Sequence, residues 1–160
     1  MSINQKKRLQ NLIFQSRETL LDMLKQRGYD TKNFMNYNYD TLTILLEKHE
    51  QGKYQTNPEL SPLDLELKKT KTDSRIIVKY RLDEKFKNTA SLKKMVSNIY
   101  NHHNLEEKDT LIILVVNRVL PKPNDRENPV YSFTEEFRLQ NKYVQVFGLE
   151  NLVINISKHA

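Results

Sequence analysis

The residues Leu111-Ile-Ile-Leu-Val-Val116 form an unbroken apolar run in a chain that is otherwise 29% charged. The run is too short for a helix, and a strand that is apolar at every position must be covered on both faces. That requirement calls for a layered α/β arrangement with helices above and below a sheet.

The flanking sequence supplies the layers. From Asn4 to Arg27, the residues Leu9, Leu12, Ile13, Leu20, Met23 and Leu24 recur at spacings of three and four, which predicts one amphipathic helix. Gly28 stands where a helix closes through positive φ, and Lys25 and Arg27 suit the negative end of its dipole. A second helix is expected from Asp40 or Thr41 to Gln51, with Asp40 as its cap, Leu42, Leu45, Leu46 and His49 on one face, and Gly52 as its stop. Residues 53–62, with Pro58 and Pro62, read as a loop. At Leu63 the period changes to two. Leu63, Leu65 and Leu67 alternate with Asp64, Glu66 and Lys68 as in a half-buried strand, and Lys71 to Ser74 makes a turn into a hairpin partner over Arg75–Leu82.

A third helix is expected over Ser91–His102, with Leu92, Met95, Val96, Ile99 and Tyr100 inward. After the apolar run, residues 117–129 read as a loop holding Pro121, Pro123 and Pro129. Tyr131, Phe133, Phe137 and Leu139 fit either an extended segment or a helix. A short helix over Lys142–Phe147 and a final strand over Leu152–Ile156 complete the expectation. The plan is three-layer α/β, a helical part over 1–52 and an α/β core over 63–160, with two apolar strands joined by a crossover.

At 160 residues the chain can bury roughly 70% of its unfolded surface, so one domain needs no covalent or metal staple. It has no cysteine, which excludes a disulfide framework, thiolate catalysis and a Cys-type zinc site. Lys6, Lys7 and Arg8 near the N-terminus are not followed by an apolar stretch of signal-peptide length, and no run approaches a membrane span; an intracellular protein without a membrane partner is expected. The net charge of +6 favours an anionic partner, nucleic acid being the commonest, although lysine also serves solubility. Asparagine is abundant and glycine scarce, a bias typical of AT-rich coding.

Three scattered glycines exclude a glycine-rich phosphate loop. The four histidines, His49, His102, His103 and His159, offer only one adjacent pair, at a helix end where dipole and solubility account for it, so no metal site and no cofactor are expected. Glu66-Leu67-Lys68 is an acidic-x-lysine triplet that could place a carboxylate and an ammonium on one strand face around Mg²⁺. The full nuclease pattern also needs an aspartate on a neighbouring strand, usually after a proline; Asp40 falls on a helix cap and Glu59 in a loop. Such a triplet is common by chance on any charged strand face, and a solvated face is the preferred reading. Arg118, Lys122 and Arg126 are spaced by fours on the proline-bearing segment after the apolar strand, the edge at which open α/β sheets tend to bind ligands. Cations there would gain affinity for a phosphate backbone by counterion release, without reading sequence.

Three passages, in order, resemble one family, the shared fifth subunit of eukaryotic-type DNA-directed RNA polymerases. Met23-Leu-Lys-Gln-Arg-Gly-Tyr29 is similar to its helix ending in Arg-Gly-Tyr. Leu111 to Pro121 resembles its apolar strand followed by a Thr-Pro-Ser-Ala loop. Lys142-Tyr-Val-Gln-Val-Phe-Gly-Leu-Glu-Asn-Leu-Val-Ile-Asn-Ile-Ser-Lys-His159 resembles its helix followed by Leu-Val-Ile-Asn-Ile-Thr-x-His. The resemblance implies a single jaw domain over 1–160 with a three-layer, restriction-endonuclease-like α/β core that has lost the nuclease site, lying beside downstream duplex DNA. The implied partners are the largest and other polymerase subunits, with weak, sequence-independent DNA contact through Arg118, Pro121, Lys122 and Arg126. Leu120, Lys122 and Pro123 depart from the family's Thr, Ser and Ala. The family continues into a C-terminal assembly domain, so a longer parent chain is expected, from a protist or a large DNA virus; the location would be the nucleus, or a virus factory or virion. A Mg²⁺-dependent nuclease using Glu66 and Lys68, and a protein-binding adaptor with a Tyr- and Lys-rich surface, are the alternative readings.

Overall fold

The structure, a computed structural model, describes residues 2–35, 37–52, 58–82, 89–115, 129–150 and 152. Helices α1 (Ile3–Gln26) and α2 (Tyr39–Gly52) precede a hairpin of β1 (Leu65–Lys68) and β2 (Arg75–Tyr80). Helix α3 (Thr89–His103), strand β3 (Thr110–Val115), helix α4 (Pro129–Leu139) and strand β4 (Tyr143–Gly148) follow. The sheet is open and mixed, in the order β1-β2-β3-β4, with β1 antiparallel to β2 and the other two pairs parallel.

The apolar run behaves as its composition requires, with Leu111, Ile112, Ile113, Leu114 and Val115 all buried. Its alternate residues face two separate cores. Ile112 and Leu114 join Ile76, Val78, Tyr80 and the inner faces of α1 and α2; Leu111, Ile113 and Val115 join Ile77, Val96, Ile99, Tyr100 and Phe137 from α3 and α4. Three layers result, and both faces of β3 are dry. Leu63, Leu65 and Leu67 are buried against the α1–α2 layer, as their alternation predicts. Of the third helix's expected inner face, Val96, Ile99 and Tyr100 are buried and Met95 is partly so, while the side chain of Leu92 lies outside those described.

Three helices end in the same way. After α1, Gly28 takes φ +94°, Tyr29 N donates to Leu24 O at 3.0 Å and Gly28 N to Lys25 O at 3.0 Å, the two bonds of a Schellman stop. After α3 and α4 that left-handed position is held by Asn104 (φ 51°) and Asn141 (φ 61°), with Leu105 N to Tyr100 O at 3.0 Å and Lys142 N to Phe137 O at 2.8 Å. Asparagine is the best non-glycine residue for this conformation, and a glycine-poor chain uses it. At the starts, Ser2 and Gln5 form a reciprocal capping box on α1.

Three expectations are corrected. Asn38, not Asp40, caps α2: its Oδ1 accepts from Thr41 N at 2.8 Å. The helix expected over 142–147 is strand β4. Its Val144-Gln145-Val146-Phe147 core has the β-branched and aromatic content of a strand, and all six positions pair in parallel register with β3, from Thr110–Tyr143 to Val115–Gly148. The crossover partner of β3 is therefore β4. Leu152, expected in the final strand, is helical and buried; the rest of that expected strand lies outside the described residues. The ambiguous segment around Phe137 is helix α4, whose Phe137 enters the core.

Candidate functional site

The hairpin places its polar residues on the α3–α4 side of the sheet. Glu66 pairs with Ile77, and Lys68 with Arg75, so these side chains share one face of the two strands. One step beyond the Leu65–Val78 pair, Asp64 meets Lys79. Their carboxylate and ammonium lie 3.0 Å apart, each side chain only 1% exposed.

Asp64 Oδ1 accepts from Tyr80 N at 2.8 Å, and its Oδ2 accepts from Ser61 N at 2.9 Å as well as from Lys79 Nζ. Lys79 also donates to Glu59 O. Burial lowers the Lys79 pKa; the Asp64 charge and hydrogen bond oppose that shift. Around the pair, Ser61 Oγ accepts from Leu63 N at 3.2 Å and shares a 2.8 Å hydrogen bond with Nδ1 of buried His49. Arg17 crosses from α1 to donate to Leu63 O at 2.7 Å, with its guanidinium over the rings of Tyr37 and Tyr80.

Toward the start of β2, Arg75 organises a second polar group. Its Nη2 donates to the terminal carbonyls of the α3 end, His103 O at 2.8 Å and Asn104 O at 3.0 Å. Its backbone N–H donates to Asp109 Oδ1 at 2.8 Å, and Asp109 Oδ2 accepts from Glu106 N at 2.9 Å. Asp109 is 1% exposed, so this carboxylate fixes the α3–β3 turn to the neighbouring strand.

This geometry decides how the acidic-x-lysine pattern is to be read. Glu66 and Lys68 do share a face, but both are exposed, and Glu66 is ion-paired at 3.4 Å with Arg75. The pattern that pairs an aspartate with a lysine on the adjacent strand falls elsewhere: Asp64 follows Pro62 by two residues and faces Lys79. The residue two before Lys79, where the pattern needs a second carboxylate, is Ile77, fully buried. A divalent cation at Asp64 would have to enter an enclosed site and displace the Lys79 ammonium from Oδ2. The residues present do not fit a Mg²⁺ centre, and no group of three or more metal-ligating side chains occurs among the described residues.

The remaining candidates are placed as follows. His103, expected to serve dipole and solubility, is committed to a hydrogen bond, Nε2 to Pro58 O at 2.9 Å, and burial lowers its pKa. His102 packs edge-on against it. His159 and the four cationic-segment residues Arg118, Pro121, Lys122 and Arg126 lie outside the described residues; β3, which precedes that segment, ends at Val115. No described helix is long and apolar enough to cross a membrane.

The residues that sequence reasoning missed are Asp64, Lys79, Arg17 and Asp109. One signal was available for the first two. A lysine inside Ile76-Ile-Val-Lys-Tyr80 sits in an otherwise apolar strand and requires an internal counter-charge, and Asp64 is the nearest acid on the preceding strand that follows a proline. Comparison with protein-family models, curated proteins and solved structures finds no match for this chain.

Proposed function

We propose that this chain is a non-catalytic, jaw-type domain of a DNA-directed RNA polymerase subunit, held beside downstream duplex DNA by the larger subunits. The observation that carries the reading is the set of three passages that resemble the fifth subunit in the family's own order, across most of the chain. The first covers the end of α1 and its Gly28 stop, the second begins on β3, and the third begins on β4.

Two features of the architecture support the reading. The mixed four-stranded sheet between helical layers suits a restriction-endonuclease-like core. The position where such a core would carry its catalytic acids holds the closed Asp64–Lys79 pair and the apolar Ile77. The DNA contact is assigned to Arg118, Pro121, Lys122 and Arg126, in the segment that follows the C-terminal end of a central parallel strand. Such contacts neutralise phosphates without reading bases.

The test is to tag the native gene in its source and identify co-purifying proteins by mass spectrometry. Recovery with the large polymerase subunits at matching stoichiometry is the expected result. Recovery free of any polymerase subunit overturns the reading. Incubation with supercoiled plasmid and Mg²⁺ completes the test: no cleavage is expected, and cleavage abolished by Lys68→Ala or Lys79→Met would establish the nuclease alternative.

A further inference from the structure

At the N-terminal end of the parallel strands, the chain forms an open groove of about 560 Å³. Its floor is the start of β2, β3 and β4, and its two walls are the end of α1 with the end of β1, and the last turns of α4. Both walls are cationic. Arg27 and Lys69 stand on one, Arg138 and Lys142 on the other. Among the described lining residues Glu135 is the only acid, and it is held by Arg138 through two hydrogen bonds of 2.7 and 3.1 Å. Arg27, Lys69 and Lys142 form no ion pair with a carboxylate among the described residues, although Lys69 lies over the Tyr29 ring and Lys142 over the rings of Tyr100 and Phe137. Helices α1 and α4 both end at this groove, and each brings about half a negative charge, less than the three cations without a carboxylate partner supply.

The groove also offers an aromatic surface. Tyr143, on the outermost strand β4, is 54% exposed, immediately after Lys142 and beside Thr110 on the floor. Cations on two walls around an exposed ring on a sheet are the combination that holds single-stranded nucleic acid: the cations follow the phosphates, and the ring stacks on an unpaired base. A duplex keeps its bases stacked inside and gives such a ring nothing to hold.

We infer that this groove is a second nucleic-acid site, one that binds a single strand with its phosphates between Arg27, Lys69 and Lys142 and a base on Tyr143. The inference stands on its own observations, so it survives or fails independently of the polymerase reading.

Fluorescence anisotropy with a fluorescein-labelled single-stranded 20-mer, and with the same sequence as duplex, tests it on the full chain. The wild type is expected to bind the single strand more tightly than the duplex. Arg27→Glu/Lys69→Glu is expected to weaken single-strand binding at least about tenfold and to flatten its salt dependence. Lys7→Glu/Arg8→Glu makes the same change in net charge at the far end of α1. That end is about 30 Å away at 1.5 Å per residue, several Debye lengths at physiological salt, and binding there is expected to stay within about twofold. Tyr143→Ala is expected to lose roughly tenfold on the single strand and nothing on the duplex, with Tyr143→Phe restoring wild-type binding. Circular dichroism establishes that each variant is folded. Equal losses in the two charge-reversal variants, an unaffected Tyr143→Ala, or displacement by inorganic polyphosphate that is indifferent to Tyr143 would each reduce the effect to net charge and overturn the site. Absence of wild-type binding at low salt overturns it outright.

Discussion

Asp64→Ala and Lys79→Met remove opposite halves of one buried ion pair, and the structure makes their costs unequal. Deleting one partner of such a pair generally costs about 3–5 kcal/mol. In Lys79→Met the Asp64 carboxylate keeps its hydrogen bonds from Tyr80 N and Ser61 N, at 2.8 and 2.9 Å, which places the loss near the lower bound. In Asp64→Ala those two buried N–H groups lose their acceptor, at about 1–3 kcal/mol each, and Lys79 keeps Glu59 O among the partners described above. A loss of about 5 kcal/mol or more is expected. Urea unfolding at 25 °C, followed by far-ultraviolet circular dichroism, measures both. The pH dependence separates them further. The folded pKa of Lys79 lies below its unfolded value of 10.5, so wherever the folded chain binds fewer protons than the unfolded one, stability rises with pH up to 10.5. Without Asp64 that folded pKa falls further, and the deficit of Asp64→Ala should shrink between pH 7 and 9, by at most about 1.4 kcal/mol per pH unit. The deficit of Lys79→Met should show no such recovery. Equal costs for the two variants, or a cost below about 1 kcal/mol for either, would refute the buried pair and reopen this position as an accessible site.

Gly28→Ala is expected to lower stability by about 1 kcal/mol, the left-handed penalty of a residue with a Cβ. At φ +94° a Cβ would meet nothing within 4 Å, so a loss well above that in urea unfolding would contradict the open space around it. Asn104→Gly and Asn141→Gly should each raise stability by a few tenths of a kcal/mol or more, because glycine holds φ values of 51° and 61° without that penalty. Burial raises the Tyr100 hydroxyl to about 12 from 10.0. Its neutral form is therefore favoured in the folded state; the stabilisation is fully present below pH 10 and is lost as pH rises toward 12. Burial raises the Tyr80 hydroxyl as well, so ultraviolet titration of tyrosinate should show more than one late-titrating group, one of which disappears in Tyr100→Phe.

The layered plan was legible because it depends on covering apolar surface, and that demand is written in periodicity. Leu111 to Val115 had to be dry on both faces; α1, α2, α3 and the leucines of β1 had to turn one stripe inward. Strand β4 was misread because Val144, Val146 and Phe147 make too short a pattern to separate helix from strand. What fixes it is a partner 33 residues away, Thr110 opposite Tyr143, and a sequence read locally does not contain that pairing. The helix stops at Asn104 and Asn141 escaped notice for a related reason: asparagine occurs throughout this chain, whereas the stop at Gly28 stood out among three glycines.

The candidate site was less legible because its chemistry depends on register. Glu66 and Lys68 satisfy an acidic-x-lysine pattern along one strand. The lysine that meets an aspartate is Lys79, on the other strand, and only the antiparallel pairing of Leu65 with Val78 brings it to Asp64. A slip of one residue would turn Asp64 and Glu66 toward the α1–α2 core and the leucines toward α3, so the hydrophobic pattern that fixes the register also fixes the ion pair. The pair then acts on the architecture. By taking Tyr80 N and Ser61 N, Asp64 ties the end of β2 to the chain entering β1, while Lys79 holds Glu59 O beyond it. A carboxylate and a lysine in this position could serve catalysis only if water and a cation reached them. Here both side chains are enclosed, and their hydrogen bonds with Tyr80 N, Ser61 N and Glu59 O fix the edge of the sheet.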